Sequence, residues 1–249
     1  MKASRRKFLS LGWMLAALLL THNVTTASGT NDFILGQKAY AAGDYAAAVQ
    51  SFTRAVALSP SAGAYQNLGN AAWQQSRIAE ALLVWERATW IDPRLANARN
   101  NLQFARELAQ LEAPDLTWGE IASTWLPGDW WALLAAGSLW FAVGLAVLPP
   151  VLRWRKSGWQ QALMAVGLGI FLLTLPANYG AWTRTSLGLV LEAETPLTLT
   201  PTAEGEATTK LAAGEPARVL QRRGKYLLIR TRLATGWIES NKFGFICPK

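Results

Sequence analysis

Histidine and cysteine are almost missing from this 249-residue chain, which has one of each, His22 and Cys247. A single thiol excludes an internal disulfide and a cysteine metal cage. His22 falls in a segment read below as an export signal, so the mature chain has no Ser-His-Asp triad, Cys-His pair or histidine metal site. Paired carboxylates are the enzymatic chemistry left open, and no pattern points to such a pair. The chain therefore reads as a non-enzyme without a cofactor, and Cys247 as an incidental thiol.

Formal charge is missing from two long stretches, residues 130–152 and 159–183. At about 1.5 Å per residue each exceeds 30 Å, enough to cross the hydrocarbon core of a bilayer. The alternative, two buried core helices, needs a larger protein around them than either flank supplies. Trp130, Trp131 and Trp154 mark the ends of the first run, and Trp159, Tyr179 and Trp182 those of the second, as interfacial belts do. The only strong polar groups inside are Gln160, Gln161 and Asn178, all near the ends. Transport or proton relay would want an ionisable group there. An anchor, or packing through small residues such as Ala135, Ala136, Gly137, Gly167 and Gly169, fits better.

Where charge is present, it is segregated. The net charge is +8, but Lys2, Arg5, Arg6 and Lys7 cluster at the N-terminus and Arg153, Arg155 and Lys156 in the connection between the apolar runs. Once these are set aside, the remainder is close to neutral, so the basic pI reports membrane topology and not a nucleic-acid footprint. No Lys or Arg lies between Glu107 and Leu152, while Glu112, Asp115, Glu120 and Asp129 precede the first run. The positive-inside rule then puts loop 153–158 in the cytoplasm and both flanking domains outside, in the periplasm of a two-span inner-membrane protein.

Residues 1–27 read as a signal peptide: a basic start, an apolar run over 9–20, and Thr25 and Ala27 ahead of the cleavage point. An uncleaved anchor is the alternative. The string S-R-R-K-F-L at 4–9 also looks like a twin-arginine export motif.

From residue 29 the pattern becomes helical and repeats. A self-alignment at a shift of 33 pairs Gly36 with Gly69, Ala48 with Ala81, Phe52 with Trp85, Ala55 with Ala88 and Pro60 with Pro93. These residues, with G-D-Y-A-A-A-V at 43–49, resemble the tetratricopeptide repeat (TPR). Small residues sit where paired helices approach, Phe52 or Trp85 fills the gap, and proline ends the pair. Ser76 stands where the turn glycine belongs. Two repeats leave an open end, and residues 94–111, with Leu95, Ala98, Leu102, Ala105 and Leu108 at helical spacing, supply a capping helix. The TPR domain spans 29–111 and is followed by a linker, 112–129. There, Thr117 and Glu120 form a capping box for a short helix at the membrane surface.

After Thr183 the period changes from 3.6 to 2. Strands are expected over 187–191, 196–200, 208–211, 217–221, 226–231 and 236–238, with turns at 204–205, 213–215 and 223–225. Gly236 is expected to allow a tight turn. Segments A-G-E-P-A-R-V-L, G-K-Y-L-L-I-R and T-G-W-I are similar to a bacterial SH3-like domain, placed at 186–249 as a small barrel. Tyr226, Trp237, Phe243 and Phe245 either line a peptide or glycan groove or serve only the core.

The order of parts resembles the BatE family of Bacteroides aerotolerance operons: export signal, short TPR, T-W-x-E linker, membrane hairpin with a basic loop, SH3-like barrel. The resemblance implies an all-α TPR solenoid, a two-helix transmembrane hairpin and an all-β SH3-like domain. It implies a scaffold whose partners are von Willebrand A-domain membrane proteins and, through them, a MoxR-type ATPase, with a role in stress or oxygen tolerance. By position in the repeat, Tyr40, Gln66, Asn70 and Trp73, with Gln103 in the cap, face the concave groove. Amides and aromatics there suit backbone hydrogen bonding more than capture of a carboxylate; alternatively, they only solvate a spacer. A second reading is peptidoglycan binding or sensing by the SH3-like domain.

Overall fold

The computed structural model of the chain describes residues 23–151, 158–202 and 205–247. Most of the export signal, most of the basic loop and Glu204 of one expected turn lie outside the described residues. The chain divides into two compact units, residues 1–77 and 78–249. The boundary falls inside the segment expected to be the repeat domain.

In the first unit, α1 (Asn23–Ala41), α2 (Tyr45–Leu58) and α3 (Ala62–Gln74) follow one another with short turns. Helix α1 begins upstream of Ala27, so cleavage there would remove its first turn. Asp44 caps α2 by accepting from Ala47 N–H at 2.9 Å, and Ser61 caps α3 by accepting from Ala64 N–H. Gly36 of α1 lies against the Phe52 ring of α2; a Cβ at Gly36 would come within 2.7 Å of that ring. The small residue is therefore a packing requirement, and Phe52 is buried as a result. Phe33 adds a second ring at 5.7 Å, and Arg54 Nε meets Asp32 at 2.9 Å across the same pair of helices.

The repeat is written into the structure as well as the sequence. Helix α4 (Ile78–Ile91), the first element of the second unit, has the bounds of α2 displaced by 33 residues. Its buried set includes Ala81, Val84, Trp85 and Ala88, which correspond at that shift to Ala48, Ser51, Phe52 and Ala55 of α2. The turns agree too: Gly43 has φ +78° and its counterpart Ser76 has φ 61°. Left-handed backbone costs an L-residue about 1–2 kcal/mol, and glycine little. Ser76→Gly is expected to raise stability by about 0.5–1 kcal/mol, the relief exceeding the added unfolded-state entropy. Thermal unfolding of the full chain, followed by helicity, should show a higher midpoint; a lower one contradicts this origin of the turn.

In the second unit, α5 (Ala96–Ala109) packs on α4 through Ala98, Leu102 and Ala105, and a left-handed Gln110 ends it. The short α6 (Trp118–Ser123) leads to two long apolar helices, α7 (Gly128–Val151) and α8 (Gly158–Arg184). Both are long and apolar enough to cross a membrane. Trp140 is 72% exposed and Leu173 79% exposed, which separates these helices from the core helices of a water-soluble protein. They pack antiparallel: Gly167 faces Ser138 and Ala142, and Asn178 Nδ2 donates to the Trp131 carbonyl at 3.3 Å.

Among the described residues, seven antiparallel strands complete the unit: β1 (Leu187–Val190), β2 (Thr195–Thr198), β3 (Ala207–Leu211), β4 (Pro216–Arg223), β5 (Tyr226–Arg230), β6 (Thr235–Glu239) and β7 (Phe243–Phe245). Their order is β3-β2-β6-β5-β4-β1-β7. A flat sheet of this many strands would be about 29 Å wide. Yet Val190, Leu197, Leu211, Ala217, Leu227, Ile229, Ile238 and Phe243, drawn from every strand, form one core, so the sheet is strongly coiled. Tight turns at Gly214 (φ +86°) and Gly224 (φ +57°) fall where the sequence places them.

The expected role of Gly236 needs correction. It lies within β6, as the expected strand 236–238 has it, but it makes no turn there; a Cβ on it would come within 2.6 Å of the Leu197 side chain. The glycine permits close approach of β2 and β6. The sequence reading also omitted β7, three residues beyond a short 3-10 turn.

Candidate functional site

The most constrained polar arrangement in the second unit centres on Glu120. The preceding helix has already ended at Gln110, so the expected stop at Pro114 is not needed, and Thr117 caps α6. The Thr117 N–H donates to Glu120 Oε2 at 2.8 Å, completing the expected capping box. Gly119 brings α6 against α8: a Cβ on Gly119 would lie 2.9 Å from the Pro176 carbonyl oxygen, and one on Gly180 only 2.1 Å from the Gly119 oxygen. This backbone-to-backbone contact sets Glu120 beside the end of α8, where Thr183 Oγ1 donates to Oε1 at 2.8 Å.

The third partner comes from the sheet. Arg218 of β4 grips the carboxylate with both guanidinium nitrogens, Nη1 to Oε1 at 2.7 Å and Nη2 to Oε2 at 2.9 Å. Nη1 also donates to the Thr183 carbonyl at 3.2 Å, at the exit of α8. One carboxylate thus joins a helix cap, the end of an apolar span and a strand. A bidentate arginine pair of this kind is both strong and geometrically specific.

Glu120 is fully buried, and loss of hydration alone would raise its pKa. Hydrogen bonds from Arg218, the Thr117 N–H and Thr183 outweigh that burial and hold it down at about 2, against an ordinary 4.5. A group with a depressed folded pKa stabilises the fold above its unfolded pKa and loses that contribution as pH falls through its folded pKa. The junction should therefore hold from neutral pH to about 4.5 and weaken progressively toward pH 2, by about 3 kcal/mol in all. Hydrogen-exchange protection factors of the α6 amides, corrected for the intrinsic exchange rate at each pH, check this. Glu120→Gln should flatten the dependence, and a wild-type profile unchanged between pH 5 and 2.5 would count against it. A carboxylate so saturated and so acidic is unsuited to general acid–base work at neutral pH.

Further bonds fix the same corner. Arg184, the last residue of α8, donates to Ser123 Oγ at 3.1 Å and lies 4.7 Å from the Trp90 ring centre. Trp131 Nε1 donates to the Ser123 carbonyl at 3.3 Å, tying α6 to α7. From α4, Arg87 donates to the Phe245 carbonyl through Nε and Nη2 at 3.1 and 3.0 Å. Among the described residues, no group of three or more His, Cys, Asp or Glu side chains comes together to hold a metal.

Of the expected groove residues, Gln66, Asn70 and Trp73 lie on one face of α3 at helical spacing, each half-buried. Tyr40 is at the end of α1, its ring 5.3 Å from that of Tyr45. Gln103 belongs to the second unit, exposed on α5, where its amide donates to Glu107 at 2.9 Å. The four sheet aromatics do not share one surface. Trp237 pairs with Leu228, so Tyr226 and Trp237 stand on the face opposite Leu227, Ile229 and Ile238. Phe243 is in the core, with Phe245 edge-on to it at 5.2 Å.

Arg218 escaped the sequence reading. Its signal was a lone cation inside the apolar A-R-V-L run of a strand, set 98 residues from the glutamate it meets. Comparison of the chain with family models and with curated proteins gives no match.

Proposed function

We propose that the chain is a non-enzymatic scaffold of the bacterial inner membrane that presents two protein-binding modules, a TPR-like helical array and an SH3-like barrel, to the periplasm. The carrying observation is the Glu120 junction. A binding module built on a rigid mount holds its partner at a fixed height and orientation over the bilayer, and Glu120, Thr183 and Arg218 make such a mount between the sheet and the apolar hairpin. The 33-residue duplication of helix bounds and burial supports the TPR reading of the helical part. The segregated positive charge supports the orientation.

The BatE-like order of parts then supplies the partner class: von Willebrand A-domain membrane proteins, and a MoxR-type ATPase through them, in stress or oxygen tolerance. Deleting residues 29–111 is a poor test, because Arg87 and Leu83 on α4 touch the sheet and would be lost with it. A photo-cross-linking side chain at Gln66, Asn70 or Gln103 of the full chain in native membranes is cleaner. Capture of von Willebrand A-domain proteins at these positions, and not at a control on the lipid face such as Leu173, supports the scaffold. Equal yields at all positions would sink it. Sacculus binding lost on Trp237→Ala with the fold intact would favour the peptidoglycan alternative, for which the half-buried Trp237 on the outer sheet face is the available contact.

A further inference from the structure

The second unit contains a cleft of about 490 Å³ whose lining is strongly cationic. Among the described residues, Arg94, Arg99, Arg106 and Arg184 border it against one carboxylate, Glu86. Glu86 is already paired with Arg106. Arg184 donates to Ser123 and lies over the Trp90 ring, while Glu86 and Glu120 act on it through space without forming an ion pair. Arg94 and Arg99 are exposed, and among the described residues no carboxylate pairs with either. Arg94 and Arg99 thus go without a carboxylate partner and Arg184 meets its carboxylates only at a distance, a cationic excess that repels cations and favours an anion with several acceptor oxygens.

The cleft's position selects the anion. Arg184 is the last residue of the apolar helix α8, and Trp125, 65% exposed, lies between α6 and the start of α7. Trp118, Trp130, Tyr179 and Trp182, all exposed, cluster around the same ends of the two spans. Aromatic side chains in that pattern mark the headgroup layer of a bilayer. A cleft opening there meets phospholipid headgroups at high local concentration. Its volume suits a headgroup with its glycerol better than a bare ion.

We infer that this cleft binds the phosphate-bearing headgroup of an anionic phospholipid, with Arg94, Arg99 and Arg184 as its ligands and Trp125 against the upper acyl chain. The inference needs α7 and α8 to cross a bilayer and is independent of whether the chain is a scaffold.

The test uses the full chain in mild detergent, with retained lipid counted by native mass spectrometry after addition of phosphatidylglycerol or phosphatidylcholine. Phosphatidylglycerol should be retained preferentially, and the Arg94→Gln/Arg99→Gln double variant should lower its retention roughly thirtyfold while leaving phosphatidylcholine unchanged. Neither arginine is bound to a carboxylate, so the variant should keep the thermal midpoint of the wild type. Equal retention of the two lipids, or no change in the variant, overturns the inference. Full displacement of phosphatidylglycerol by millimolar inorganic phosphate would also overturn it, by assigning the cleft to a soluble anion.

Discussion

Replacing Arg218 by methionine should release the sheet from the membrane hairpin and destabilise the second unit by about 3–5 kcal/mol, the cost of leaving a buried carboxylate without its counter-ion. Glu120 keeps the Thr117 N–H and Thr183 hydroxyl in that variant, but both its oxygens lose their charged donor. The carboxylate must then take up a proton or move to water. Hydrogen exchange of the α6 amides and of residues 183–190 should accelerate together, whereas helices of the first unit should be unaffected. The double variant Glu120→Gln/Arg218→Met should recover much of the loss, because the uncompensated charge is gone. If the single variant exchanges like the wild type, the junction is not what holds α6 to the sheet.

Gly180→Ala should act on the same junction from its other side. A Cβ at Gly180 would lie 2.1 Å from the Gly119 oxygen and 2.5 Å from the Glu120 nitrogen, both backbone atoms that no rotamer change can move. Helix α6 must back away, and the Glu120 carboxylate leaves Thr183 with it. The cost should be at least about 3 kcal/mol, at the upper end for overpacking. Gly169→Ala provides the control in the same helix, since a Cβ there meets nothing within 4 Å. It should change stability by less than about 0.5 kcal/mol. Chymotryptic cleavage after exposed Trp125 in detergent reads the difference: rapid in Gly180→Ala, slow in the wild type and Gly169→Ala. Equal rates in all three would contradict the close contact.

These two sites mark how far the sequence could be read. The helices of the repeat followed from periodicity and small-residue spacing, because each needs only local pattern and a neighbour of its own kind. The apolar spans followed from composition, and the Thr117–Glu120 capping box from a four-residue signature. Even Ser76 behaved as its glycine counterpart does, since the 33-residue register carries the backbone conformation with it. What escaped depends on distant pairing. Strand order is set by which edges meet once the chain has coiled, and alternation along one strand says nothing of its neighbour. Strand β7 escaped because three residues cannot display a period. The role of Gly236, though not its place in a strand, was misread because a glycine that bends the chain and a glycine beneath another strand's side chain look alike in one dimension. The candidate site was half legible: the sequence offered Glu120 as a cap, but its second role toward Arg218 and Thr183 needs three segments brought together.

The central claim, that one buried ion pair mounts the sheet on the membrane hairpin, is tested most directly by a distance. Spin labels at the exposed positions Ile121 on α6 and Leu220 on β4, with Cys247 replaced by serine, report the junction without touching it. Pulsed electron–electron resonance on the full chain in lipid nanodiscs at pH 7 should give a single narrow distribution that broadens in Arg218→Met. A broad distribution in the parent chain, or a narrow one that survives the loss of Arg218, would contradict the account.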